Sequence, residues 1–327
     1  MMGSDNAPIS ELQGIEDYAK VSSDISNVEF YLIGKEDVIN QHLPSFNFSG
    51  INYKIVNADE VITMNDDPTT CVKGKKNSSI IVGINMQKQN EIDAFLSAGN
   101  TGAMLSASTL ILGRIKGVSR PTIGTFFPSL NDTPVLVLDA GANVDAKAKF
   151  LFEFGIMGNL YFKEMFGVNS PKVGLLNIGE EESKGNEQAV EAYKLLKGSK
   201  MNFVGNIEGR DIFMGKADVI VCDGFTGNVV LKFAESILGF FKQTFKKYAD
   251  KSLMNKVKVG LLVPTIKDIF KSLDYQEYGG VPLLGVNGVI IIGHGSSTGK
   301  AVKSMITRSI EIISKDLNKK IENELKD

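Results

Sequence analysis

The chain has 327 residues, 43% hydrophobic and 23% charged, with a formal net charge of −2: enough for a full core, and no global field that calls for nucleic acid. Its two cysteines, Cys71 and Cys222, cannot build a disulfide framework, and with only His42 and His294 beside them no zinc set forms, so no metal or cofactor is expected. No apolar run reaches membrane-span length and no signal peptide is visible, which points to a reducing cytoplasm.

Residues 30–33 read as a strand ending at Gly34. The run 80–86 opens a helix instead, because Ala94-Phe95-Leu96 follows as the next strand. Further β-rich runs at 135–138, 173–178, 219–222 and 288–292 stop at Asp139, Gly179, Asp223 and Gly293. Residues 228–251 carry a helical stripe of Val230, Phe233, Ile237, Phe241, Phe245 and Tyr248, expected to pack in a core. From Lys256 the chain reaches Pro264, read as a helix start, after which Ile266, Ile269, Phe270 and Leu273 recur with Lys267 and Lys271 alongside. A basic amphipathic segment of this kind packs in a core or dimer, covers an acyl tunnel, or lies on an anionic membrane; dimer or core packing is the expectation. Val302, Met305, Ile306, Ile310, Ile313 and Leu317 predict one amphipathic helix over 300–325.

Strand runs without polar alternation are buried on both faces, as parallel strands under helices are. Their alternation with helices predicts a doubly wound α/β sheet. Ligands in such sheets bind beyond the carboxyl ends of the strands, so the loops 97–102, 139–143, 179–185 and 223–228 should converge on one rim.

In Gly99-Asn100-Thr101-Gly102, glycines let backbone amides approach an anion and Thr101 adds a hydroxyl; a tight strand-to-helix turn explains the loop equally well. The loop is neither a Walker loop nor a dinucleotide fingerprint. Gly293-His294-Gly295-Ser296-Ser297 has the make-up of a phosphate cradle, where His294 either contacts an oxyanion or satisfies loop carbonyls. Lys184, in an acidic loop, either stabilises charge at a reacting centre or pairs with its neighbours. Asn228 either donates to the same oxygen or caps a helix. Cys222 reads as a core residue, and no Gly-x-Ser-x-Gly elbow is present. Direct attack of a bound anion on an acyl carbonyl is then the simplest chemistry.

Read together, the strand-end loops resemble the PlsX family, the phosphate:acyl-[acyl carrier protein] acyltransferases. The resemblance rests on Ser97-Ala98-Gly99-Asn100-Thr101-Gly102-Ala103, Asp139-Ala140-Gly141-Ala142-Asn143, Asn177-Ile178-Gly179-Glu180-Glu181, Lys184-Gly185 and Asp223-Gly224-Phe225-Thr226-Gly227-Asn228. It continues through Tyr278-Gly279-Gly280, Pro282-Leu283-Leu284-Gly285-Val286-Asn287-Gly288 and Gly293-His294-Gly295-Ser296, in the family's order and across nearly the whole chain.

The resemblance implies a three-layer α/β/α fold with a mostly parallel sheet, like that of phosphotransacetylases and of isocitrate and isopropylmalate dehydrogenases. It implies a single two-lobed domain over 1–327. The implied reaction moves a long-chain fatty acyl group from acyl carrier protein to inorganic phosphate, giving acyl phosphate for phospholipid synthesis. The implied catalytic residues are Lys184 and Asn228. Phosphate and substrate binding is expected from Asp5, Gly99, Asn100, Thr101, Gly102, Asn143, Asp223, Thr226, Gly227, His294, Gly295 and Ser296. A cytoplasmic homodimer is implied, with peripheral membrane contact through 256–273. The acidic carrier protein should meet a basic face, for which Lys242, Lys246, Lys247, Lys251, Arg114, Lys116 and Arg120 are candidates. Family members begin with a strand leading into an Asp-x-Met-Gly-Gly-Asp loop, whereas here Met1-Met2-Gly3-Ser4-Asp5 opens the chain, without that strand and with Ser4 for the second glycine. Two rival readings are a short-chain phosphate acyltransferase using acyl-coenzyme A and a non-enzymatic carrier-protein scaffold. A dinucleotide dehydrogenase is weaker, for want of a fingerprint.

Overall fold

A computed structural model describes residues 1–131, 133–270 and 280–326, the side chains of 238 and 266–270 excepted. The elements in order are α1 (Ile9–Ala19), β1 (Glu29–Gly34), α2 (Glu36–His42), β2 (Asn52–Asn57), α3 (Thr70–Gly74), α4 (Ser79–Lys88), β3 (Ala94–Ser97), α5 (Thr101–Ala107), β4 (Thr122–Phe127), β5 (Val135–Leu138) and α6 (Ala148–Phe166). There follow β6 (Lys172–Asn177), α7 (Glu187–Lys197), β7 (Asn202–Glu208), β8 (Val219–Val221), α8 (Gly224–Ala249), α9 (Leu253–Phe270), β9 (Val281–Leu284), β10 (Val289–Ile292), α10 (Gly299–Ser314) and α11 (Leu317–Glu324). The strand stops expected at Gly34, Asp139 and Gly293 fall where the chain turns into loop.

The central sheet has the order β3-β10-β9-β4-β5-β8-β6-β7, and β1 and β2 form a separate parallel pair. Side-chain alternation divides β5 between two helical layers. Leu136 and Leu138 face α6 through Leu151, Phe154 and Met157. Val135 and Val137 share the opposite core with Ile220, Cys222 and the α8 residues Val230 and Leu231. Strands without polar alternation are therefore covered on both sides, in three layers.

The sheet is mixed in a way that revises the single rim. β3 and β10 are parallel, and β5, β8, β6 and β7 are parallel. Between these groups β10 to β9, β9 to β4 and β4 to β5 are all antiparallel. Three reversals leave the two groups pointing in opposite directions, so their carboxyl ends lie on opposite edges of the sheet.

Three helix expectations also change. Pro264 lies inside α9 rather than at a helix start. The stripe on α8 is a core stripe only at its start: Val230 packs against the core, while Phe233, Phe241 and Tyr248 are exposed. The C-terminal segment is two helices, broken at Asp316, whose φ of 55° turns the backbone left-handed. The break sends Leu317 and Ile321 into the core beside α6. Tyr278, Gly279, Lys271 and Leu273 lie outside the described residues.

Among the described residues β1 pairs only with β2, and β3 only with β10. Both strands line a cavity of about 670 Å³ that is walled by Ile15 and Tyr18 of α1 and by Val302 and Ile306 of α10.

Candidate active site

The carboxylate of Asp139, fully buried at the end of β5, organises the loop that follows it. One oxygen accepts the amides of Ile123 (3.2 Å), Gly141 (3.3 Å) and Ala142 (3.1 Å). The other accepts the Asn143 amide (2.6 Å) and its side-chain Nδ2 (3.0 Å). Burial pushes the Asp139 carboxyl above its ordinary range, against the pull of the Ala142, Asn143 and Ile123 bonds. Asn143 also donates to the Pro121 carbonyl (2.8 Å), so its amide ties the loop to the start of β4.

The neighbouring strand β8 leads directly into α8. Asp223 is its N-cap, accepting the Thr226 amide (2.7 Å) and hydroxyl (3.0 Å). Asn228 is therefore not the cap but sits inside the second turn, against Gly141. Gly141 holds φ +135°, and a Cβ there would stand 3.6 Å from the Asn228 side chain. The Asn228 carboxamide has no hydrogen-bond partner in the protein among the described residues.

At the opposite edge, Asn100 caps α5. Its oxygen accepts the Ala103 amide (2.9 Å) while its Nδ2 donates to the Thr63 (3.0 Å) and Asp66 (3.2 Å) carbonyls. That leaves Thr101, not the Asn100 side chain, facing outward. His294 Nδ1 lies 2.8 Å from the Ser296 hydroxyl, and the Asp5 amide donates to the Gly295 carbonyl (2.8 Å), seating the N-terminal loop on this turn.

One cavity of about 460 Å³ receives both edges, because it runs across β4 from Ile123 to Phe126. Of the predicted residues, Thr101, Gly102, Asn228 and His294 line it. Asp5, Gly99, Asn100, Asn143, Asp223, Thr226, Gly227, Gly295 and Ser296 do not; they lie in the adjoining loops and, for Thr226 and Gly227, in the first turn of α8. Apolar wall is supplied by Leu105, Phe126, Leu231, Val281 and Ile292. Two charged lining residues escaped sequence reasoning: Lys232 and Glu235. Their signal was the helical spacing 228, 231, 232, 235, one face of α8 continuing past the motif.

Lys184 is not among the lining residues. Its loop leaves β6, which is parallel to β8, so it departs from the same edge as Asn228. The loop is clamped: Lys216 pairs with Glu180 (3.0 Å) and Asp211 (2.9 Å), Lys197 pairs with Glu182, and Asn206 donates to the Glu181 carbonyl (2.8 Å). Lys184 itself is exposed and makes no ion pair among the described residues. The Cys222 thiol is pushed well up by burial, which suits a core residue and not a nucleophile.

The chain matches the family described as "Fatty acid synthesis protein" over residues 1–320. It is 44% identical over 321 residues to a phosphate acyltransferase of Dictyoglomus thermophilum, covering 98% of this chain and 94% of that protein. It is 44% identical over 326 residues to one from Halothermothrix orenii, covering 99% and 96%. Among solved structures, a branched-chain phosphotransacylase from Enterococcus faecalis V583 has a TM-score of 0.58 at 12% identity, covering 96% of this chain and 99% of that one. The EutD phosphotransacetylase from Staphylococcus aureus has a TM-score of 0.55 at 14% identity, covering 92% and 98%; at these identities the likeness is one of fold.

Proposed function

This chain belongs to the fatty acid synthesis protein family, the PlsX-type phosphate acyltransferases, and we propose that it moves a long-chain fatty acyl group from acyl carrier protein to inorganic phosphate. The product, an acyl phosphate, feeds phospholipid synthesis. The observation that carries the reading is the Asn228 carboxamide: it lines the cavity with no partner in the protein among the described residues, in company with Thr101 and His294.

Phosphate enters the cavity and the thioester arrives on its pantetheine arm, with the start of the acyl chain along the Leu105, Phe126 and Leu231 wall. A phosphate oxygen attacks the thioester carbonyl. Asn228 Nδ2 donates to the oxyanion as the C–O bond forms, and Lys184 reaches in from the adjacent loop to offset the developing charge. The C–S bond then breaks, and the electron pair leaves on sulfur as a thiolate, a fairly stable leaving group. Holding both reactants in one cavity supplies much of the rate.

The acidic carrier protein docks on the lysine-bearing part of α8, where Lys242, Lys246 and Lys247 are exposed. Phe240 on α8 and Leu253 and Leu261 on α9 are also exposed, an apolar surface that a homodimer would cover. Peripheral membrane contact through 256–273 and a cytoplasmic location complete the proposal. No helix among the described residues is long and apolar enough to cross a membrane.

The test is release of free carrier-protein thiol from palmitoyl-carrier protein, with and without phosphate. Release should require phosphate and should be faster than from the matching coenzyme A thioester. Phosphate-independent release removes the reading, preference for coenzyme A thioesters redirects it to a short-chain enzyme, and binding without turnover leaves a scaffold.

A further inference from the structure

Among the described residues, the cavity that holds Asn228 has two side chains of fixed formal charge in its lining, Lys232 and Glu235. Both lie on α8, so the face that presents Asn228 presents Lys232 one turn later and Glu235 one turn beyond that. Lys232 makes no ion pair and no hydrogen bond among the described residues. A cation facing a concave site with no internal partner is not holding the fold together.

We propose that Lys232 is the residue that binds inorganic phosphate in this cavity; the inference rests on the phosphate-acceptor reading above and names the group that seats the acceptor. An ammonium is a compact point charge with three donors, suited to a small oxyanion that must remain able to react. Glu235 repels an anion from the far end of the helix face, which confines phosphate to the stretch between Lys232 and the first turns of α8. Lys232 and Asn228 are four residues apart, about 6 Å along the axis at 1.5 Å per residue. Phosphate on Lys232 is thus placed beside a carbonyl whose oxygen points at Asn228. The division of labour is that Lys232 holds the nucleophile and Asn228 receives the oxyanion.

The experiment is a titration of the full chain with inorganic phosphate and no acyl donor, by isothermal calorimetry or ³¹P line broadening. Lys232→Gln should weaken phosphate binding by about 10–100-fold, the worth of one charged hydrogen bond. Lys232→Arg should recover most of that loss. Lys88→Gln, a distant exposed lysine at the end of α4, should bind as the parent does. In turnover assays Lys232→Gln should raise the KM for phosphate by a similar factor and leave the KM for the acyl donor nearly unchanged. Phosphate binding that survives in Lys232→Gln, or that is absent from the parent protein, overturns the proposal. Because the titration needs no turnover, it decides Lys232 separately from the thiol-release assay that decides the function.

Discussion

Gly227 lies against the carbonyl oxygen of Asp139 so closely that a Cβ would stand 1.9 Å from it. The contact seats the first turn of α8 on the loop after β5, and the residue it positions is the next one, Asn228. Gly227→Ala should push the helix away from that loop and cost about 3 kcal/mol or more, as overpacking against backbone does. A thermal melt and a turnover assay should fall together; a variant with parental stability and rate would show that the contact positions nothing.

Asp139 presents two acceptor oxygens to four backbone amides and one side-chain amide. Asp139→Asn keeps the size but turns one acceptor into a donor facing donors. Chemical denaturation should show a loss of about 3 kcal/mol, from unpaired buried amides. An unchanged midpoint would mean the loop has another way to satisfy them.

Two carboxyls should titrate in opposite directions from their ordinary value of 3.8. Asp67 is held down to about 2, first by the Thr69 side chain and then by the Thr70 amide and hydroxyl. Its contribution to stability is present above pH 3.8 and is lost as the pH falls through about 2. Asp139, raised by burial, contributes in the reverse sense: fully below 3.8, and less as the pH rises through its folded value. Carboxyl ¹³C titration reads both, and Thr69→Ala should move Asp67 back up. Coincident titrations would contradict this account.

Asn228→Ala should cut kcat about 100–1,000-fold, the usual cost of one oxyanion donor, with the melting temperature unchanged because the Asn228 side chain has no hydrogen-bond partner among the described residues. Lys184→Ala should also lower kcat about 100-fold without unfolding the exposed loop it leaves. Near-parental kcat in Lys184→Ala, with Lys232→Gln strongly impaired, would move the cationic role wholly onto α8.

Phe240→Asp and Leu261→Asp place charges on the apolar surface of α8 and α9. Sedimentation velocity should show the parent as a dimer and the variants shifted to monomer. Parent and variants sedimenting alike as monomers would exclude this surface as the interface.

Much of the fold was legible because buried strands advertise themselves: 135–138 and 219–222 are apolar on both faces, and the polar residues cluster at their ends. Strand direction was not legible. Nothing in Val281-Pro282-Leu283-Leu284 reveals that this short strand runs against β10, yet that reversal decides which loops share an edge. Motifs marked two of the residues that line the cavity, Asn228 and His294. Lys232 went unmarked because it stands in an ordinary helical run, and only the cavity shows which face of that helix lines it. The stripe of α8 misled for a physical reason: amphipathic spacing shows that a face wants cover, not which molecule covers it.

At 26 residues α8 is a rod of about 39 Å. Asn228 and Lys232 ride near one end, and the exposed aromatic residues Phe240, Phe241 and Tyr248 ride toward the other. The two ends cannot be moved independently. A lever arm of this kind turns a small tilt at the distal tip into a shift of the cavity wall that Asn228 and Lys232 form, so whatever grips the tip also shapes the cavity.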